Sequence, residues 1–193
     1  MTRTKHDLRS EATRRRLVTA ARALFGARGF ADVGTEEIVR AAGVTRGALY
    51  HQFRDKADLF AAVAEEVEAE IAERIASAAG VEADPVDALR SGARLFLDAC
   101  AEPEVERIIL LDAPAVLGWQ AWRDLAGRYG LGLVQSGLQS AIEAGAIAPQ
   151  PVAPSPTFSS VRSTRARSTW RGPRTRPRRG RSASRSSTGS CTA

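Results

Sequence analysis

The chain is poor in the residues that carry most enzymatic chemistry. It holds two histidines and two cysteines in 193 residues. His6 lies in a polar N-terminal stretch and His51 in a short helical segment. Neither has a cysteine, a Ser–Gly elbow or an acid pair nearby that would build a nucleophilic site. Cys100 and Cys191 make neither a disulfide framework nor a metal cluster. A glycine-rich phosphate loop is missing, and so is any metal-ligand spacing. These absences argue against an enzyme, a cofactor and a bound metal. No basic-then-apolar secretory start is present, and no apolar run approaches the roughly 20 residues that cross a membrane. A soluble cytoplasmic protein with Cys100 reduced is expected. No strand alternation occurs over residues 10–148, and there is no internal repeat. The expected fold class is all-α.

The net charge of +6 hides three electrostatic characters. Residues 1–56 carry twelve Lys/Arg against six Asp/Glu, residues 57–150 six against sixteen, and residues 151–193 ten arginines and no acid. A basic first segment suits a polyanion. An acidic middle would be repelled by DNA and should face away from it.

The most informative stretch is residues 35–53, TEEIVRAAGVTRGALYHQF. It predicts a helix over Glu36–Ala42, with Thr35 as N-cap and Glu36 and Glu37 in the first turn, where the helix dipole favours them. Gly43 suits the left-handed position after a helix. Thr45 then caps a second helix from Arg46 to about Phe53. Ile38, Ala42, Val44, Leu49 and Phe53 form the apolar set that holds the pair together. Thr45, Arg46, Gly47, Tyr50 and His51 are left outside. They are small or hydrogen-bonding and include no carboxylate. A short amphipathic helix entered through a glycine turn is what a helix-turn-helix reader of the major groove requires.

Around these residues the chain resembles the DNA-binding region of the TetR (tetracycline repressor-like) family. The resemblance rests on Ala42-Gly43-Val44-Thr45, Gly47, Leu49-Tyr50 and Phe53, then on residues 55–60, DKADLF, and on the preceding helix, Ala20-Ala21-Arg22-Ala23-Leu24-Phe25 to Gly29-Phe30. It covers about residues 10–75. Over residues 76–150 it is loose, and after that it stops. Val39 departs from the family pattern, where a smaller alanine is usual at a helix–helix contact. The resemblance implies a ligand-responsive repressor that binds a palindromic operator as a homodimer. It also implies a helical body that takes a small, often apolar effector.

Met1–Leu8 reads as a loose polar arm, and a first helix is expected from about Ser10 to Gly29. Lys5, Arg9, Arg14, Arg15 and Arg16 are either phosphate or minor-groove contacts or a solvated basic end. Asp55 should cap a long helix, with Asp58 completing part of a capping box. Lys56 at that helix start makes a phosphate site. Leu59, Phe60, Val63, Val67, Ile71 and Ile75 form its apolar stripe, and Glu65, Glu66, Glu68, Glu70 and Glu73 are expected on solvated faces. Asp84-Pro85 starts the next helix, with Leu89, Ala93, Phe96, Leu97 and Cys100 as its apolar side. A short helix over Val105–Leu111 is expected to break at Asp112 and Pro114, and a longer helical run ends at Gly145.

Phe96, Cys100, Leu111, Trp119, Trp122 and Tyr129 are the large side chains that would line an effector cavity. The competing reading is that they are plain core. From Pro151 on, 43 residues include ten Arg, ten Ser, six Thr, five Pro and three Gly. Such a tail buries too little apolar area to offset ordering entropy and is expected to be disordered. It is either a basic nucleic-acid-binding arm or, the favoured reading, a G+C-rich coding region read out of frame.

The expected organisation is a DNA-binding head at 1–56, a helical regulatory body at 57–148 and a tail at 149–193. The DNA-binding set is Thr35, Thr45, Arg46, Gly47, Tyr50, His51 and Lys56. The alternatives are a non-specific nucleic-acid-binding module using the basic head and tail, or a truncated regulator unable to dimerise.

Overall fold

Local capping sets most helix ends. Helix α1 (Lys5–Arg28) stops at Gly29, whose φ of 84° is left-handed and whose N–H donates to the Phe25 carbonyl at 2.7 Å. Helix α2 (Thr35–Ala42) ends the same way at Gly43, φ 61°. Helix α3 (Arg46–Gln52) begins on Thr45, whose hydroxyl accepts the Ala48 N–H at 3.1 Å. Helix α4 (Lys56–Ala79) begins on Asp55, which accepts the Asp58 N–H at 2.8 Å, while Asp58 accepts the Arg54 N–H at 3.0 Å. Helix α5 (Pro85–Cys100) begins on Asp84, which accepts from Val86 and Asp87. Each cap satisfies a donor that a helix start leaves orphaned.

The computed structural model describes residues 5–152, and no strand occurs among them. Both readings of the Arg/Ser-rich tail concern residues outside those described.

Two helix starts differ from expectation. Helix α1 begins at Lys5, not Ser10. Its first turns are polar and carry no apolar period, so periodicity sees only the part that packs. Thr35 is the first residue of α2 and not its cap. Gly34 takes that place, with its carbonyl accepting the Glu37 and Ile38 N–H groups at 3.2 Å and no side chain capping the helix.

Residues 103–117 form one helical run, α6, in place of the expected break. It is α-helical over Pro103–Val105, π-helical over Glu106–Asp112 and α-helical again over Ala113–Leu117. Pro114 has no N–H to give the turn before it, and its ring crowds that turn. The wider π turn accommodates it, with the Ala113 N–H reaching back to the Ile108 carbonyl. The chain breaks instead at Gly118, φ 82°. Residues 119–143 form α7, again with a π segment, Gly127–Leu131, between Trp119–Ala126 and Gly132–Glu143.

The core lies where α1, α2, α3 and α4 meet. Leu17, Ala21, Ile38, Leu49, Leu59 and Val63 are fully buried there. Phe25, Phe30 and Phe60 make a ring cluster with centroids 5.3–5.7 Å apart. The body is packed less fully. On α5 only Ala99 is buried, and Ala93, Phe96 and Leu97, expected on an apolar inner side, are exposed. They border an open cavity in place of a closed core. Small residues let the neighbouring helices come close: a Cβ on Gly137 of α7 would stand 2.7 Å from the Leu89 side chain of α5.

Candidate functional site

Two sites share the molecule. The first is the outer face of α3. Thr45, Arg46, Gly47, Tyr50 and His51 are all exposed, while Leu49 and the following Phe53 anchor the helix from beneath. The Arg46 guanidinium lies 5.6 Å from the centroid of the Tyr50 ring and 3.6 Å from Glu36 of α2. The face is therefore acid-free on its own helix but has one carboxylate beside it. Two arginines of α1 brace this element. Arg14 donates to the Gln52 carbonyl at 3.5 Å and lies over the Phe53 ring, and Arg16 donates to the Gly43 carbonyl at 2.9 Å. The α1 basic run is thus partly a support for α3. Thr35 is half-buried at the start of α2.

Lys56 has an internal role that its sequence position did not reveal. Its ammonium donates to the Phe30 carbonyl at 2.9 Å and the Val33 carbonyl at 3.0 Å, and sits 4.0 Å from the Phe30 ring centroid. It fastens the α1–α2 connection onto the start of α4, leaving one N–H for a phosphate. Lys56→Met is expected to destabilise the protein by about 2 kcal/mol, because two part-buried carbonyls lose a charged donor. Urea melts check this, and an unchanged midpoint would show that the ammonium is not a structural tie.

The second site is an apolar cavity of about 1230 Å³ bounded by α4, α5, α6 and α7. Of the expected lining residues, Phe96, Cys100, Trp119 and Trp122 border it, whereas Leu111 and Tyr129 do not. Leu111 points outward from the π turn of α6 and is exposed. Tyr129 is turned toward α4, where its hydroxyl donates to Glu65 at 3.2 Å. The remaining wall comes from smaller residues, among them Ile71, Ile75, Leu89, Ile109 and Val134.

Glu68 also borders the cavity, against the expectation of a solvated face. It is 7% exposed and is the only buried charged or polar residue among those described. The α4 period explains its position: Ala64, Val67 and Ile71, which share its side of the helix, are buried too. Loss of solvent raises its carboxyl pKa. Burial also raises that of the Cys100 thiol, with the Glu68 charge adding to the effect. In the same wall, the Trp122 indole N–H is buried without a hydrogen-bond partner.

No three His, Cys, Asp or Glu among the described residues are grouped to hold a metal ion, and no described helix is long and apolar enough to cross a membrane.

Comparison with known proteins agrees with this architecture. Residues 17–63 match the family described as bacterial regulatory proteins, tetR family, and residues 86–160 match the tetracyclin repressor-like C-terminal domain. The chain is 34% identical over 102 residues to the HTH-type transcriptional regulator AcrR of Shigella flexneri, covering 52% of this chain and 47% of that protein. It is 36% identical over 100 residues to the HTH-type transcriptional regulator TtgR of Pseudomonas putida, covering 52% of this chain and 46% of that protein. The chain thus spans about half the length of these curated relatives. A crystal structure of a TetR-family transcriptional regulator from Pectobacterium atrosepticum superposes with a TM-score of 0.67 at 35% identity, covering 78% of this chain and 76% of that one. With a head of three short-linked helices, a cavity in the helical body and this likeness along most of its length, the chain belongs to the TetR family of bacterial regulatory proteins.

Proposed function

We propose that the protein is a sequence-specific DNA-binding transcription regulator, a repressor whose α3 enters the major groove and whose cavity takes a small effector. The observation that carries this reading is the exposed face of α3: Thr45, Arg46, Gly47, Tyr50 and His51 stand clear of the core on a helix braced from below by Leu49, Phe53 and two arginines. Arg46 is the base-reading residue, with Thr45 and Gly47 beside it. To engage a guanine it exchanges the exposed Glu36 carboxylate for the base edge. Tyr50, His51 and the free N–H of Lys56 position phosphates.

Arg46→Ala is expected to lose about 1–3 kcal/mol of discrimination at one position of each half-site, the contribution of a bidentate Arg–guanine pair. Selection from a random DNA pool, run on both proteins, reads this directly. An unchanged consensus would remove Arg46 from the reading role. A non-specific nucleic-acid binder would show no consensus in either run and a small ratio between best and random DNA.

The effector reading rests on the cavity. Its wall is mainly apolar. Glu82, Arg123, Ser136 and Ser140 also line it but are exposed, and Glu68 is the one buried charged group in it, so the effector class is an apolar body bearing a cationic group. Its binding alters the spacing of paired heads and releases the promoter.

Pairing follows from the size of a half-site, since two heads about one helical turn apart, ~34 Å, must be held rigidly. Leu111 of α6 is exposed outside the cavity, and Leu97, Leu110, Leu131 and Val134 are exposed cavity-lining residues on α5, α6 and α7. A second copy seated over the open side of the cavity would cover them. The composition of residues 151–193 offers no apolar stripe for this purpose. Sedimentation velocity is therefore expected to show concentration-dependent, polydisperse association through these faces. A single tight dimer would place the contact in a fixed interface within the helical body, and a strict monomer would refute pairing by the chain as it stands.

A further inference from the structure

The π turn of α6 lies between two anchors to the DNA-binding head. At one end Glu104 receives Arg22 of α1 in a two-point bond, Nε to Oε1 at 3.0 Å and Nη2 to Oε2 at 2.8 Å. The same guanidinium donates to Glu70 of α4 at 2.6 Å. At the other end the Asp112 carboxylate accepts the backbone N–H of Phe30 at 2.7 Å, in the α1–α2 connection. Glycines make room for both contacts: a Cβ on Gly26 would stand 3.0 Å from the Glu104 side chain, and one on Gly29 3.3 Å from Asp112. Between the anchors, Val105, Ile109 and Leu110 border the cavity.

Helix geometry explains why the segment is π-helical. Glu104 and Asp112 are eight residues apart, and eight α-helical steps overshoot two full turns by roughly 80°. A straight α-helix could not turn both carboxylates toward α1. A π turn accommodates one extra residue, so the stretch advances like seven steps and falls only about 20° short of two turns. Both anchors then face the head together.

We propose that residues 106–112 are a two-state element: the π form holds both anchors, and reversion toward α geometry releases one, so that cavity occupancy felt at Ile109 and Leu110 reaches Phe30 through Asp112. Asp112 and Glu104 are positioning residues in this scheme, and neither touches effector or DNA. The inference rests on the proposed regulator function for its purpose, but its geometry is testable alone.

The test compares the full chain with Asp112→Ala and Asp112→Asn by hydrogen exchange, and by affinity for DNA selected with the wild type. Asp112→Ala is expected to speed exchange about tenfold both in residues 29–34 and in residues 105–111, and to weaken DNA binding at least fivefold. Asp112→Asn keeps an acceptor oxygen and should restore both. Acceleration confined to residues 29–34 would overturn the proposal, since the anchor would then be local. Tetraphenylphosphonium serves as the cavity probe. It should change exchange in residues 105–111 of both wild type and Asp112→Ala, and in residues 29–34 of the wild type only. A change at 29–34 that survives in Asp112→Ala would also overturn it. If the wild type selects no DNA or does not bind the probe, the function or effector reading fails, and the exchange comparison of the three proteins still decides the latch.

Discussion

Phe60→Ala is expected to destabilise the protein by about 3–5 kcal/mol and to abolish DNA binding near physiological temperature. Phe60 is fully buried on α4, and its ring meets Phe25 of α1 and Phe30 of the α1–α2 connection, each at 5.3 Å between centroids. The edge-on geometry adds to area burial in such pairs. Truncation would leave a cavity that cannot collapse, because Phe25 and Phe30 are themselves held by neighbours. Phe30 carries the carbonyl that accepts Lys56 and the N–H that Asp112 accepts. The loss therefore spreads to the seat of α2 and α3, not to α4 alone. Phe60→Leu, which refills most of the volume, should recover most of the stability. Chemical denaturation of the three proteins separates the outcomes. A cost below about 1 kcal/mol for the alanine variant would mean that the ring cluster is loosely packed.

The head and the start of α5 were legible because their signals are local. Thr45, Asp55 and Asp84 cap as short-range chemistry demands, and Gly29 and Gly43 take the left-handed conformation that ends α1 and α2. Several of the differences are cases in which a partner far along the chain decides. The sequence position of Lys56 suggested a phosphate site but not its second role as a donor to the carbonyls of Phe30 and Val33. Glu68 sat in a run of five glutamates on α4, and the run concealed which one the body covers. Arg22 and Glu104 are 82 positions apart, and so are Phe30 and Asp112. The π turns were invisible for another reason. Asp112-Pro114 reads as a stop signal, yet a widened turn carries the helix through to Gly118. The cavity wall was half read: large aromatics were legible as candidates, but Leu111 and Tyr129 turn away, and the small residues that open the space carry no signal of their own.

Glu68→Gln is expected to reduce the affinity for tetraphenylphosphonium at least about 30-fold, near 2 kcal/mol, while leaving that for a neutral analogue such as triphenylphosphine oxide unchanged. A buried carboxylate in a mainly apolar wall attracts a cation because little water screens the pair, and the Arg123 guanidinium in the same lining is exposed and therefore better screened. Its raised pKa makes the cation affinity pH-dependent. As pH rises through that pKa the carboxylate forms, so binding of the cation should strengthen, and this dependence should vanish in Glu68→Gln. Stability should move the opposite way. The native state holds the Glu68 proton more tightly than the unfolded chain does, so stability contributed below the ordinary glutamate range, ~4.3, is lost as pH rises through the native pKa. The glutamine variant carries no such loss and should melt higher than the wild type at about pH 8, with the gap closing near pH 4. The two readouts are independent. Higher neutral-pH stability without loss of cation affinity would leave Glu68 as a strained core residue and remove the cationic group from the effector class. Equal stability of the two proteins at both pH values would show that the carboxylate is solvated through the open side of the cavity, and the selective cation affinity would then have no low-dielectric site to rest on.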